Sequence, residues 1–229
     1  MKGFNRSRWA GSYHGDMQTD DEVSVGTTKG FQITLPMPVR KGRVSVEEAI
    51  ARRQSVRAYR SEPLTLSQLS QLLWAAQGLV GGGRRTAPSA GASYPLEIFV
   101  FISCGGVERL DAGIYRYNSE AHSLTIHKPG DFLKELARAA LDQSFIAQAP
   151  LNILVAAIYE RTSRIYGRRA ERYVPMEVGH VGQNIHLQAE ALALGTVVIG
   201  AFDDEEVARV LSAEKEARPL YIMPIGKPK

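Results

Sequence analysis

Cysteine is nearly absent from this sequence, since Cys104 is the only one among 229 residues. A single thiol excludes a disulfide framework and a thiolate metal cluster, and it is typical of proteins in a reducing compartment. Long apolar runs are also missing, because no stretch approaches the roughly 18 apolar residues of a membrane span. The first residues lack the apolar stretch of a signal peptide. We therefore expect a soluble, cytoplasmic protein with no membrane partner.

The chain also lacks a large excess of charge of one sign. Its 28 Lys and Arg against 24 Asp and Glu give a formal net charge of +4, which favours anionic ligands without indicating nucleic acid. His180 and His186 are six positions apart, about 240° around a helix, so they cannot bind one metal ion from a shared face. We predict no metal site.

Residues 1–43 are polar and glycine-rich without a sustained hydrophobic period, which predicts an N-terminal arm that is extended or partly disordered. The remainder, residues 44–229, has no internal linker and is predicted to form one domain. Capping boxes that begin at Ser45 and Thr65 predict two helices, the first ending near Arg52 and the second ending at Gly78. The apolar residues of both helices are spaced to face a core.

Further along the chain, strand and helix patterns alternate. Apolar, β-branched runs predict strands over 94–103, 149–160, 196–202 and 219–226, and residues 118–120 are predicted to form the turn of a β-hairpin. Short helices are predicted over 131–143 and from Asp203 or Asp204. Pro175 is predicted to start a helix that runs to Gly195. Interleaved helices and hairpins predict an α+β protein with a mixed sheet flanked by helices.

The segment "ARRQSVRAYR", residues 51–60, contains four arginines. If residues 55–59 are extended, Ser55, Arg57 and Tyr59 share one face. Guanidinium and hydroxyl groups side by side suit phosphate oxygens. The alternative is a solvated basic helix end, which charge alone favours.

Three other stretches each have a functional and an ordinary interpretation. Small residues from Ala87 to Ser93 would let the backbone approach a flat ligand closely, or would form a flexible loop. The stretch 192–207, a helix end and a strand followed by Gly200-Ala201 and a new helix start, would present backbone N–H groups to an electron-rich ligand, or would be an ordinary connection. Arginines and tyrosines over 159–173 would bind RNA or an anion, or would form a solvated helix face.

Four segments in this order resemble the nitroreductase superfamily of flavin enzymes. They are "RRQSVRAY", "APSAGASYPLE", "EVGHVGQNIHLQAEALALGTVVIGAFDD" and "IMPIGKP". The second and third are similar to the SagB/ThcOx-type branch of dehydrogenases. The resemblance covers about residues 44–229 and implies a mixed, mainly antiparallel sheet flanked by helices. It also implies an intertwined homodimer that binds FMN at its interface.

The resemblance further implies the residues that contact FMN. By this resemblance, the FMN phosphate and ribityl chain would be bound by Arg53, Gln54, Ser55 and Arg57. The partner subunit's small-residue loop, at Pro88, Ser89 and Ala90, would lie against the same flavin, and the turn near flavin N5 falls to Ile199, Gly200 and Ala201. Lys227 or Lys229 would complete the phosphate site, and Gln143 would reach the polar edge of the flavin.

By the same resemblance, the chain is expected to transfer hydride through flavin N5 between NAD(P)H and a small organic acceptor, either nitro-aromatic or quinone-like. An alternative is an azoline dehydrogenase of peptide maturation. Such enzymes need a Lys-Tyr pair, whose place is taken here by Arg172 and Tyr173. Because arginine cannot lose its proton near neutral pH, Tyr173 is left as the candidate acid or substrate-orienting residue. A flavin-consuming enzyme and a non-catalytic RNA- or anion-binding module are the remaining hypotheses.

Overall fold

The computed structural model describes residues 32–212 and 217–229. These residues form the strands β1 (Gln32–Thr34), β2 (Leu79–Gly81), β3 (Arg84–Arg85), β4 (Leu96–Ile102), β5 (Gly113–Asn118), β6 (Ser123–Pro129), β7 (Leu151–Ile158), β8 (Gly195–Thr196) and β9 (Ala217–Gly226). The helices are α1 (Val46–Arg52), α2 (Leu66–Gln77), α3 (Leu133–Ala139), α4 (Ser144–Gln148), α5 (Tyr159–Tyr166), α6 (Ala170–Ala191) and α7 (Asp204–Leu211). None of the helices in the described ranges is long and apolar enough to span a membrane.

Seven strands form one sheet in the order β1-β6-β5-β4-β7-β9-β8, and β2 with β3 forms a separate hairpin. All neighbouring strands of the large sheet are antiparallel. β4 and β7 are central and pair along their whole length, from Leu96↔Ala157 to Ile102↔Leu151. The predicted α+β class, with a mainly antiparallel sheet flanked by helices, is confirmed.

Side-chain alternation along the central strands builds two cores, one on each face of the sheet. In β4, Ile98 and Val100 belong to the core that also contains residues of α2 and α6. Phe99 and Phe101 belong to the core that contains residues of α3 and α7. The sheet is therefore buried on both faces, as in other layered α+β domains.

The first two helices have the predicted boundaries. The Ser45 and Thr65 side chains each accept a hydrogen bond from the backbone of the third helical residue, and both reciprocal capping boxes are complete. α2 presents a continuous buried face, as predicted. In α1 only Ala49 is buried, whereas Val46 is 64% exposed and Ile50 is 56% exposed. Most of the apolar stripe of α1 therefore has no cover within the described residues.

The prediction that Pro175 starts a helix is wrong. α6 begins at Ala170 and continues through Pro175 for a total of 22 residues. Proline cannot donate the backbone hydrogen bond to Glu171, but the buried face of this long helix more than offsets that single loss. The helix ends at Ala191 and not at Gly195, because Gly195 pairs with Gly226 in the sheet.

The last part of the predicted N-terminal arm contributes the edge strand β1. Gln32 to Thr34 pair with β6, and the Pro36 carbonyl is 3.0 Å from His122 Nε2. Residues 1–31 lie outside the described ranges. The predicted arm and its boundary at residue 43 therefore stay predictions.

Tyr59 holds the segment that connects α1 to α2. Its side chain is 1% exposed, and its single hydroxyl proton is shared between the carbonyls of Val56 and Pro224, whose oxygens lie 2.5 and 3.2 Å from the hydroxyl oxygen. Burial raises the Tyr59 pKa well above its ordinary value, so the phenol stays neutral and remains a donor. The expectation that Ser55, Arg57 and Tyr59 share one face is therefore wrong, because Tyr59 points into the protein while the other two are exposed.

We expect Tyr59→Phe to lower the free energy of unfolding by about 1–2 kcal/mol, since it leaves buried carbonyl groups without their donor. Urea denaturation measures the effect. Tyr94→Phe is the matched control, because its hydroxyl lies 3.4 Å from the Gly83 carbonyl at an exposed position; its change should stay within about 0.5 kcal/mol. Equal losses in the two variants would contradict the role given to Tyr59.

Candidate functional site

The segment that contains Ser55 and Arg57 lies along the edge of the large sheet. The Val56 N–H donates to the Thr196 carbonyl at 2.9 Å, and Ser55 and Thr196 form an isolated parallel bridge. Four residues later, the Arg60 N–H donates to the Lys227 carbonyl at 2.9 Å. These bonds fix the segment between β8 and the end of β9.

Ser55, with Arg53 and Arg57 on either side of it, provides hydrogen-bond donors that no described carboxylate engages. Ser55 and Arg57 are exposed, and within the described ranges neither Arg53 nor Arg57 forms an ion pair. Arg53 lines a cavity of about 230 Å³ together with Thr196 and His186. Burial, and secondly the charge of Arg53, lower the His186 pKa. Unpaired guanidinium groups beside a hydroxyl suit an oxyanion.

The turn after β8 lies at the same sheet edge. The predicted strand over 196–202 is reduced to β8 and to one bridge, in which Ile199 and Ile222 exchange backbone hydrogen bonds at 2.9 and 3.0 Å. Gly200 and Ala201 follow and are exposed. A Cβ added at Gly200 would approach only Tyr221, at 3.9 Å, and Gly200 has no left-handed φ. Nothing in the described chain therefore requires glycine at this position.

Gln143 holds this turn in place. Its Nε2 donates to the Ala201 carbonyl at 2.9 Å and to the Ala140 carbonyl at 2.8 Å. Both amide protons are thus engaged within the chain, and only the side-chain oxygen remains for an additional contact.

The two C-terminal lysines differ in their surroundings. Lys227 Nζ lies 2.5 Å from the Glu62 carboxylate, so its charge is neutralised locally. Lys229 donates its backbone N–H to the Ala58 carbonyl at 3.2 Å, and its side chain forms no ion pair with any residue that the structure describes. Lys229 is therefore the lysine whose charge is available near Arg57. We call Arg53–Arg57, Ile199–Ala201, Gln143 and the two lysines the edge group.

Pro88, Ser89 and Ala90 lie elsewhere, against α5 and α6. Ser89 Oγ accepts a hydrogen bond from the Tyr94 N–H at 2.9 Å. Gly91 has a φ of +57°, and a Cβ there would lie 2.9 Å from the Tyr166 hydroxyl. The glycine therefore permits both the backbone turn and the close packing of this loop on Tyr166.

Tyr173 and Glu177 lie beside this loop, one turn apart on the same face of α6. Arg169 Nη1 donates to the Tyr173 hydroxyl at 3.3 Å, and the Tyr173 ring meets Tyr166 edge-on at 5.2 Å. The Glu177 side chain is 3% exposed, and its Oε1 has no hydrogen-bond partner. Pro88–Ala90, Tyr173 and Glu177 form what we call the loop group.

Burial raises the Glu177 pKa to about 7, while the neighbouring Ser89 hydroxyl, Ala90 backbone and Arg85 charge act in the opposite direction. Neither the spacing of residues nor the family resemblance assigned a role to Glu177. The signal was available, because Glu177 interrupts the row of buried apolar residues formed by Val174, Val178 and Val181. A carboxyl group on the buried face of a helix is costly unless it is neutral or paired.

Both groups are placed along one helix, α6. Glu177 marks the loop group, and His186, beside Arg53, marks the edge group. Nine residues separate them on α6, which corresponds to about 14 Å along the helix axis. Each chain therefore carries the loop group and the edge group at different places along α6.

Glu177→Gln tests the buried carboxyl. Because its folded-state pKa is raised above the ordinary 4.5 to about 7, the folded chain holds the proton more tightly, and the free energy of unfolding falls as pH rises through this interval. We expect the variant to lose that dependence, so that it gains stability over the wild type between pH 5 and 8. Urea denaturation across this range, with Glu171→Gln as the exposed control on the same helix, measures it. Parallel pH profiles for wild type and Glu177→Gln would contradict a buried, titrating carboxyl.

Comparisons with known proteins agree with this architecture. A sequence model of the nitroreductase family matches residues 50–227. The chain is 48% identical over 185 residues to "Putative nitroreductase MJ1384" of Methanocaldococcus jannaschii, covering 80% of this chain and 91% of that protein. A Ralstonia eutropha crystal structure with the same description has a TM-score of 0.75 at 28% identity, covering 86% of this chain and 90% of the other.

A more distant relative is the microcin B17-processing protein McbC of Escherichia coli. It is 25% identical over 150 residues, which cover 64% of this chain and 55% of that protein. Its relationship agrees with the resemblance of two sequence segments to the SagB/ThcOx-type branch. The matched family model extends over most of the chain, from the arginine segment to Lys227. The chain belongs to the nitroreductase family.

Proposed function

We propose that this nitroreductase-family oxidoreductase depends on FMN and transfers hydride through flavin N5 from NAD(P)H to a small nitro-aromatic or quinone-like acceptor. The observation that supports this best is the edge group. It combines guanidinium groups that pair with no described carboxylate and a hydroxyl with a nearby turn where nothing in the described chain requires glycine. A ligand such as FMN, which has a phosphate at one end and a flat ring at the other, would match this combination.

In this proposal, Arg57 and Ser55 bind the phosphate, with Arg53 and Gln54 toward the ribityl chain. Lys229 completes the phosphate site in preference to Lys227, because the Lys227 ammonium group already forms an ion pair with the Glu62 carboxylate. The planar guanidinium group of an arginine can donate parallel hydrogen bonds to phosphate oxygens. Arg53 and Arg57 have no acidic partners among the described residues, so their guanidinium groups are available for a phosphate.

The turn at Ile199–Ala201 would lie over the isoalloxazine ring. Gly200 leaves the backbone open to a flat ligand, and the backbone N–H groups of the turn would donate to the electron-rich ring edge. Gln143 acts as a positioning residue, since its two donated hydrogen bonds hold Ala201 relative to α3. FMN itself supplies the redox chemistry, so the chain has to bind and orient it.

The loop group would act on the flavin of a second subunit. Exposed Val46 and Ile50 on α1 give the chain an apolar surface that a homodimer would cover. In such a dimer each flavin site would take the edge group of one subunit and the loop group of the other. This arrangement would explain why the two groups of one chain are about 14 Å apart along α6. Tyr173 would be the acid or substrate-orienting residue, and the neighbouring Glu177 carboxyl would hold or release a proton near pH 7.

Azoline dehydrogenation of a peptide is the second candidate, and the relationship to McbC favours it. Against it stands Arg172, which cannot serve as a general base at the position expected for lysine. An RNA-binding module is less favoured, because the arginines of α5 have acidic partners. Arg161 pairs with Glu97, and Arg164 pairs with Glu160.

Arg57→Ala tests the flavin site. We expect the purified wild-type protein to be yellow and the variant to lose most of its FMN, because an unpaired guanidinium contact to phosphate is removed while the fold is unchanged. Absorbance of the protein-bound flavin and circular dichroism measure both properties. Arg52→Ala removes the same charge from α1, where Arg52 pairs with Glu48, and should retain FMN. Full occupancy in Arg57→Ala at low FMN concentration would reject this residue, and a wild type unable to bind FMN would reject the proposal.

Steady-state assays test the reaction. We expect NADH or NADPH oxidation that depends on added nitro-aromatic or quinone acceptors, and no oxidation of an azoline-containing peptide. Oxidation of the azoline-containing peptide, without NADH or NADPH oxidation that depends on these acceptors, would assign the chain to peptide maturation. Destruction of FMN during turnover would instead indicate a flavin-consuming enzyme. A chain that binds RNA in a steeply salt-dependent manner and shows none of these activities would be the binding module.

A further inference from the structure

The large sheet opens between two of its central strands. β4 pairs with β5 only from Phe99↔Arg116 to Ile102↔Gly113. β4 nevertheless begins at Leu96, and β5 continues to Asn118, each still paired with its other neighbour. The two halves of the sheet therefore separate beyond this point. They leave a cleft of about 560 Å³, which lies within the size range of ligand sites.

Guanidinium groups dominate the charge of this cleft. Arg85, Arg116 and Arg161 line it, together with the carboxylates of Glu97 and Glu120. These three arginines and two glutamates give the lining of the cleft a net charge of +1. Its lining is mostly polar, which disfavours an apolar ligand.

The arginines are held in fixed positions by partners inside the chain. Both Nε and Nη2 of Arg116 lie 2.9 Å from one oxygen of Glu97, and Arg161 Nη2 lies 2.6 Å from the other. Arg161 Nη1 also donates to the Tyr94 carbonyl at 3.0 Å. One arginine would be enough to neutralise Glu97. The second therefore contributes charge that the carboxylate does not cancel.

Arg85 is separate from this ion pair and is oriented by two other contacts. Its Nη1 donates to Gln77 Oε1 at 3.2 Å, and its guanidinium lies over the Tyr94 ring at 4.5 Å. Gln77 is 1% exposed and lines the cleft, and its Nε2 has no hydrogen-bond partner among the residues that the structure describes. An unsatisfied buried amide is rare in native proteins, and an acceptor atom at the inner end of the cleft would satisfy it.

We propose that this cleft is a second ligand site, which binds a small organic anion through a carboxylate or phosphate group. Arg85, which forms no ion pair with the described residues, contacts the anion directly, and the net positive charge of the Arg116–Glu97–Arg161 cluster attracts it. Arginines held in place by other residues lose little freedom when they bind such a group. The cleft adjoins the loop group, because Tyr94 contacts Arg85 and Arg161 from one side and donates to Ser89 on the other.

The test is calorimetric titration of the full-length protein, saturated with FMN, with succinate and separately with inorganic phosphate at constant ionic strength. Saturation with FMN keeps phosphate away from the edge group. We expect at least one of the two anions to bind, and the tighter one assigns the class as carboxylate or phosphate. Failure of both anions to bind at about 10 mM would overturn the proposal.

Arg85→Gln and Arg84→Gln form a matched pair on β3, because both remove one charge but only Arg85 lines the cleft. We expect Arg85→Gln to weaken binding about tenfold and Arg84→Gln to change it less than twofold. Equal weakening by the two arginine variants would indicate non-specific charge and would overturn the site. FMN occupancy, measured in the same samples, separates this result from failure of the proposed function.

Discussion

The hydrogen bonds that hold residues 55–60 along the sheet edge are the constraint on which the candidate site depends. Val56 is bonded to Thr196, and Arg60 is bonded to Lys227. Buried Tyr59 lies between them and is bonded to Pro224 of β9. Because these contacts are backbone bonds or buried side-chain bonds, they fix the backbone at Ser55 and Arg57 relative to β8 and β9. A site for a long, partly charged ligand needs this kind of preorganisation.

The second constraint is the length of α6. This helix holds the loop group near its start and lies beside Arg53 near its end, so the two groups of one chain lie at different places along it. Within the family, the proposed answer is a homodimer in which each flavin contacts both chains. The buried Glu177 carboxyl then lies beside the loop that approaches the partner's flavin, where a group that titrates near pH 7 can exchange a proton. The anion cleft between β4 and β5 adjoins the same loop through Tyr94.

The sequence was sufficient to predict features that depend on local chemistry. The capping boxes at Ser45 and Thr65 gave correct helix boundaries, and alternation gave the β5–β6 hairpin and β9. The start of α6 was missed, because packing of the helix against the sheet overrides the local effect of Pro175. The exposed face of α1 was also missed, since periodicity shows which residues are apolar and not what covers them.

The candidate site was predictable mainly through resemblance to a family. Sequence reasoning alone left a solvated helix end and a phosphate site as alternatives for Arg53–Arg57. The contacts that bring this segment beside Thr196 and Lys229 join residues more than 130 positions apart, and no local pattern encodes them. The choice between Lys227 and Lys229 likewise depends on Glu62, which is distant in sequence from both.

The central claim is that one flavin is bound by the edge group of one chain and the loop group of another. Mixed dimers test it most directly, made from an Arg57→Ala chain and an Ala90→Asp chain that carry different affinity tags. One site of the mixed dimer then contains both changes, and the other contains neither. If the site is shared between subunits, FMN is expected at one site of each mixed dimer and almost none in either variant homodimer. Mixed dimers without FMN would show that both groups bind the flavin of their own chain, which would contradict a shared site.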